Sequence, residues 1–233
     1  MVGKAKLILV MGLLGLFWYS NGYAESNGLV NIHKEYRSFK GYFKYDPKVL
    51  YLALEAYDCG VASGHDHNAG LLTIVDYSLP STRKRLWVLD LNRHKLLYHS
   101  YVAHGVGSGD MDATSFSNIP NSFKSSLGLY ETGRNYFGEW GYAMRLHGLD
   151  KGFNNNAYKR DIVMHGGKYV SQREIQEYGM IGMSHGCFVV PVTLDHRIIN
   201  RLKGGSLVFA YYPNQRWLKD SKYLHCPIIK EMA

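Results

Sequence analysis

Apolar residues first recur at helical spacing behind Asp46. Val49, Leu52, Ala53, Ala56, Cys59 and Gly60 share one face after Pro47, whose fixed φ suits a first helical turn, so a helix is predicted over 46–62. Beyond the loop at 64–70 the pattern changes to short runs rich in β-branched and aromatic residues, each bounded by turn formers. These predict strands at 71–77, 85–91, 95–103, 127–131, 142–149, 162–165 and 206–212, with another beginning at Cys187 and continuing through Phe188-Val189-Val190. RLWVLDL and KLLYHSYVA flank Asn92-Arg93-His94 and read as a hairpin. Two short helices interrupt the strands. Ser171 and Glu174 form a capping box that opens SQREIQEYG. From Thr193 onward, Leu194, Ile198, Ile199 and Leu202 share a face that Gly204-Gly205 ends. Many strands with few helices predict one mainly β domain over 42–213.

The ends of the chain differ from this middle. Residues 1–24 carry Lys4 and Lys6, an apolar run from Leu7 to Tyr19, and small residues at Gly22 and Ala24, the pattern of a signal peptide cleaved after Ala24. An uncleaved membrane anchor is the alternative. Residues 25–41 are polar and irregular and read as a flexible lead-in, and 214–233 as a polar tail. After cleavage, nothing in the sequence predicts stable membrane insertion. Oligomeric state is not legible.

Composition narrows the class. The 233 residues are 46% hydrophobic and 20% charged, ordinary globular values that exclude disorder and coiled coil. The 19 Tyr and 25 Gly favour strands joined by tight turns. A formal net charge of +8 is compatible with an anionic neighbour, but the charges are scattered, and export argues against nucleic acid as partner.

An exported chain with an odd number of cysteines, Cys59, Cys187 and Cys226, leaves at least one thiol unpaired. Cys59 and Cys226 are a candidate pair, or Cys59 is a small buried side chain. Cys187 lies in DIVMHGGKYVSQREIQEYGMIGMSHGCFVVP. There, a strand ending in His165 and a strand beginning at Cys187 are joined by a short crossover that would return the two side by side. A thiol acyltransferase needs a thiolate, a base and backbone N–H groups aimed at an oxyanion, and each has a candidate here. A neighbouring imidazole would raise the thiolate fraction of Cys187 and make its alkylation faster than that of a free thiol below pH 8. A buried thiol beside turn residues is the alternative. Zinc ligation by His165, His185 and Cys187 is weaker, because the paired short spacing of structural sites is missing.

His165, eighteen residues, then Ser184-His185-Gly186-Cys187 resembles the signature of the L,D-transpeptidases, the YkuD-type cysteine enzymes of peptidoglycan. LTIVDYSLPSTRKRLWVLDL, AHGVGSGDMDATSFSN, SSLGLYETG and GYAMRLHGLDKGFNNNA further resemble the murein L,D-transpeptidase catalytic domain branch. The resemblance covers 42–213 and implies a YkuD-like β-sandwich with a preceding N-terminal helix and short inserted helices. It makes Cys187 the nucleophile, His165 the base and the Gly166 carbonyl its orienting partner. Ser184, His185 and Gly186 would shape the nucleophile turn, with N–H groups near Gly186 and Cys187 facing the oxyanion. Three features depart from the pattern: the eighteen residues between His165 and Ser184 exceed the usual spacing of about fourteen to seventeen, Val189 stands where many members have Asn or Arg, a polar residue the branch often lacks, and His185 stands where the branch often has Trp.

The implied reaction needs no metal or organic cofactor. Cys187 would take the acyl group of a peptidoglycan tetrapeptide stem, release D-Ala, and pass the acyl group to an amine of a second stem, in the periplasm or cell envelope. Water or a protein lysine as acceptor, or a non-catalytic wall-binding protein, are the alternatives. Arg145 and His147 alternate with apolar residues on one strand and are candidates for the substrate cleft, with a structural ion pair equally open. Other motifs carry less. Ser81-Thr82-Arg83-Lys84 matches S-x-x-K but opens no helix, His65-Asp66-His67 lacks a third ligand, and Gly105, Gly107 and Gly109 lack a strand-to-helix setting.

Overall fold

The computed structural model describes residues 29–68 and 70–226. The segment at 1–24, where a signal peptide is expected, lies outside the described residues. The chain begins with α1 (Ile32–Phe39), which the Asn31 side chain caps by accepting from the Lys34 N–H at 3.0 Å. This corrects the reading of 25–41 as irregular. Ile32, Glu35, Tyr36 and Phe39 recur at helical spacing, and Phe39 is fully buried. α2 (Pro47–Ala62) follows as expected, with Asp46 accepting from the Lys48 N–H and Pro47 in the first turn. Gly60 lets it pack closely on Leu129 and Leu207 of the sheet.

Eight strands form one hydrogen-bonded sheet: β1 (Leu71–Asp76), β2 (Leu86–Asp90), β3 (Lys95–Ser100), β4 (Gly128–Gly138), β5 (Gly141–Gly148), β6 (Val163–Gly167), β7 (Phe188–Pro191) and β8 (Leu207–Tyr211). Their order is β3-β2-β1-β8-β4-β5-β6-β7. β1 and β8 are buried along their whole length, which is why both read as unbroken apolar runs. The sheet curls until its two ends meet. Ala103, just beyond β3, bridges Val189 of β7, and Phe188 of β7 contacts Tyr77 at the end of β1, ring centroids 6.2 Å apart. The architecture is therefore mainly β with a few short helices, and its core combines the strands with the apolar residues of α2 and with Trp217.

Between β6 and β7 the chain makes a parallel crossover through α3 (Gln172–Tyr178), whose residues are all at least partly exposed. Ser171 Oγ accepts from the Glu174 N–H at 3.2 Å, the expected cap. α4 (Asp195–Leu202) buries Ile198, Ile199 and Leu202. The polar tail is also more ordered than its composition suggests. α5 (Gln215–Asp220) buries Trp217, whose indole N–H and the Ser221 hydroxyl both donate to Asp150 Oδ2, at 2.9 and 2.6 Å. Beyond it Cys226 forms a disulfide with Cys59 of α2. Closing so long a loop is typically worth about 2–4 kcal/mol.

Candidate active site

Parallel pairing of β6 with β7 sets His165 beside Val189, two residues past Cys187. Because side chains alternate along a strand, His165, Val189 and Cys187 share one face of the sheet. His165 and Cys187 line a cleft of about 160 Å³ with Trp140, Tyr169, Met183 and His185. Cys187 is half-buried and is the free cysteine. A second cavity of about 280 Å³ reaches Cys187 from the side of Phe123, Lys159, Arg160 and Asp161. Trp140 and His185 border both.

His165 Nδ1 lies 2.9 Å from the carbonyl oxygen of Gly166. That carbonyl can only accept, so Nδ1 carries the proton of the neutral ring and Nε2 is its unprotonated nitrogen. A side chain at Gly166 would collide with the buried Asp195 carboxylate. Burial pushes the imidazole pKa down, and the Gly166 carbonyl and Asp195 oppose this. Trp140, at the tip of the β4–β5 hairpin, stacks over the ring with centroids 6.0 Å apart.

Around the thiol, Cys187 Sγ donates to the Asp161 carbonyl at 3.6 Å. Burial pushes its pKa up. The Val163 N–H and the Arg160 guanidinium pull it down, while the Asp161 carboxylate adds to the rise. Burial thus works against the expected enrichment of thiolate, and desolvation favours the neutral form of both partners.

The turn into Cys187 hangs on Ser184. Its hydroxyl donates to the Cys187 carbonyl at 2.8 Å and accepts from the Gly186 N–H at 3.1 Å. This corrects the expectation that the Gly186 N–H faces an oxyanion, since Ser184 already uses it. The Cys187 N–H is not drawn into this hydroxyl's bonds. Gly186 has φ 114°, where any other residue is strained. His185 is exposed and packs against Phe123, centroids 4.6 Å apart. Val189 is fully buried among Ala103, Val170 and Ile181, which accounts for an apolar residue there.

Arg145 forms an ion pair with Asp161 at 2.7 Å, the structural alternative left open for it, and Arg145 and His147 both line a separate cavity beside the cleft. The sequence reading also missed Arg85 and His104. Arg85 is fully buried and donates to the carbonyls of Leu79 and Val102 and, from Nη2 at 2.7 Å, to His104 Nδ1. The His104 carbonyl in turn accepts from the Ser184 N–H at 2.9 Å. The guanidinium thus braces the turn into Cys187 through His104. Its sequence position, between a turn and an apolar strand, reads as an ordinary strand end. Trp140 could have been found from the two residues separating Gly138 from Gly141.

No group of three or more His, Cys, Asp or Glu among the described residues is arranged to hold a metal ion. No helix among them is long and apolar enough to cross a membrane.

The chain is similar to the L,D-transpeptidase from Mycobacterium smegmatis at 10% identity and TM-score 0.38, over 61% of this chain and 59% of that one. It is also similar to an L,D-transpeptidase from Stackebrandtia nassauensis at 12% identity and TM-score 0.38, over 78% and 92%. The chain therefore spans about three fifths of the mycobacterial protein's length. Among curated proteins none matches the sequence. The family defined by the L,D-transpeptidase catalytic domain matches residues 42–211, most of the chain, and the chain belongs to that family.

Proposed function

We propose that the protein is a cysteine L,D-transpeptidase acting on peptidoglycan outside the cytoplasmic membrane. The observation that carries this reading is the pairing, in one cleft, of the free thiol of Cys187 with an imidazole whose tautomer the Gly166 carbonyl fixes. Cys187 Sγ attacks the carbonyl between the third residue and the terminal D-Ala of a tetrapeptide stem while its proton passes to His165 Nε2. The Cys187 N–H supports the oxyanion. Collapse of the tetrahedral intermediate breaks the amide bond, and the proton on Nε2 goes to the departing amine of D-Ala. In the second half, an amine of another stem attacks the thioester, loses a proton to Nε2, and Cys187 leaves as a thiolate that recovers that proton.

A neutral thiol and neutral imidazole suit this sequence, because the base acts as the acyl group arrives and no charged pair is held in a half-buried cleft. Two cavities meeting at Cys187 leave room for an acyl donor on one side and an acceptor on the other, which favours transfer over hydrolysis. The disulfide joining Cys59 and Cys226 supports the exported location. The test incubates the mature protein with tetrapeptide-bearing sacculi and identifies the muropeptides by mass spectrometry. Dimers cross-linked 3,3 are expected. Tripeptides alone would mean a carboxypeptidase, muropeptides bonded to lysine a protein-attaching enzyme, and unchanged digests a wall-binding protein.

A further inference from the structure

Beside the cleft, β4 bulges between Thr132 and Asn135, where its register with β5 shifts. The bulge borders a cavity of about 540 Å³ lined by Arg145 and His147 of β5, by Tyr136 and Tyr158, and by Arg134. The Arg145 guanidinium lies 4.7 Å from the Tyr136 ring centroid and 5.5 Å from that of Tyr158, and His147 stacks on Tyr158 at 5.2 Å. No Asp or Glu lines the cavity. Asp161 meets Arg145 through Nη1, and among the described residues the Nε and Nη2 groups of Arg145 make no hydrogen bond. The Asp161 side chain is 81% exposed, so water screens the pair, and the N–H groups that Asp161 does not use stay available to a further acceptor. Two aromatic rings hold its plane in place, which suits bidentate capture of a carboxylate.

Position selects which carboxylate. Ala143 lies opposite His165 in the β5–β6 pair, and alternation puts Arg145 and His147 on the same face. Two residues of strand span about 7 Å, so Arg145 lies about one extended residue pair from the level of the candidate base. If a stem lies along β5 with its third-residue carbonyl at Cys187 and its glycan end toward Arg145, a free carboxylate on the residue toward the glycan falls within that reach. Resting on the transpeptidase reading above, we propose that this cavity is a carboxylate-binding subsite, in which Arg145 and Arg134 pair with an acidic group of the donor stem.

The test uses Cys187→Ala protein, which cannot turn over, and isothermal titration with a disaccharide tetrapeptide and with its counterpart amidated at that carboxylate. The free acid should bind at least about tenfold tighter, a difference of roughly 1.4 kcal/mol. Adding Arg145→Gln should remove the preference. Adding Arg134→Gln, at an exposed position, should reduce it without touching the Asp161 pair, and Asp161→Asn should preserve it. Equal affinities, a preference that survives Arg145→Gln in protein with unchanged thermal unfolding, or no binding of either ligand overturns the proposal. Cross-linking of sacculi by the wild-type protein is scored separately. If it occurs while the affinities are equal, the subsite fails and the reaction stands; if it is absent while the preference is present, the reverse holds.

Discussion

His165 Nδ1 is held 2.9 Å from the carbonyl oxygen of its own neighbour, Gly166, so the backbone of β6 selects which ring nitrogen can act as a base. A neutral imidazole held in this way can take a proton only at Nε2.

Burial lowers the imidazole pKa and raises that of the thiol, which widens the pH range in which both are neutral. Activity that needs a neutral His165 should fall only as pH drops through the lowered imidazole pKa, below the ordinary value of about 6.5. Alkylation of Cys187 by iodoacetamide should be slower than that of a free thiol at pH 7 to 8 and should climb as pH rises beyond the ordinary thiol range. Fast alkylation at pH 6, abolished by His165→Ala, would instead reveal a preformed ion pair.

Arg85 braces the turn into Cys187 through His104, and it donates to the carbonyls of Leu79 and Val102. Each acceptor left without a donor costs about 1–3 kcal/mol, so Arg85→Met should lose at least about 3 kcal/mol in urea unfolding. Where the variant is folded, its turnover should fall further than that of Arg93→Met, a change at an exposed hairpin turn. Desolvation and the adjoining guanidinium also hold His104 down at about 4. A depressed base adds stability above its unfolded pKa of about 6.5 and loses it as pH falls toward 4, so thermal stability should decline across that interval. His104→Gln should flatten the decline.

Asp58 of α2 behaves in the opposite sense. Burial pushes its carboxyl up to about 7, although the Val30 N–H donates to it at 2.9 Å and pulls the other way. A carboxyl raised in the folded state is least costly below its ordinary pKa and becomes destabilising as pH climbs from about 4 to 7. Asp58→Asn keeps an oxygen for Val30 and removes the charge. Its gain in Tm should be larger at pH 8 than at pH 4, and equal gains would refute the account.

The disulfide between Cys59 and Cys226 leaves one thiol in the whole chain. Protein unfolded in guanidinium without reductant should give one equivalent of thiol by colorimetric titration, and three after reduction. Three equivalents before reduction would show that the bond does not form in solution.

Much of the fold was legible because its signals are local. Ser171 and Glu174 mark a helix start, Asn92-Arg93-His94 a hairpin, and the alternation or continuity of apolar residues the strands. α1 was overlooked because polar residues outnumber apolar ones in it, even though Ile32, Glu35, Tyr36 and Phe39 carry the helical period. The far half of β4 was missed because a bulge after Thr132 breaks the alternation. The positions of Cys187 and His165 could be read because one short crossover joins their strands. Arg85 and Arg145 could not, because what they do depends on partners from distant segments, Val102 and His104 for one and Asp161 for the other. The same holds for the thiol pKa, which depends on how much protein the curled sheet packs around Cys187.

The most direct test of the central claim is intact-protein mass spectrometry after mixing with a synthetic tetrapeptide stem and no acceptor. Wild-type protein should gain the mass of the tripeptide acyl group, localised to Cys187 by peptide mapping, with one D-Ala released per adduct. His165→Ala should form it at least about a hundredfold more slowly, the lower end of what a positioned general base contributes. An adduct at another residue, or D-Ala release undiminished in Cys187→Ala, would contradict the account.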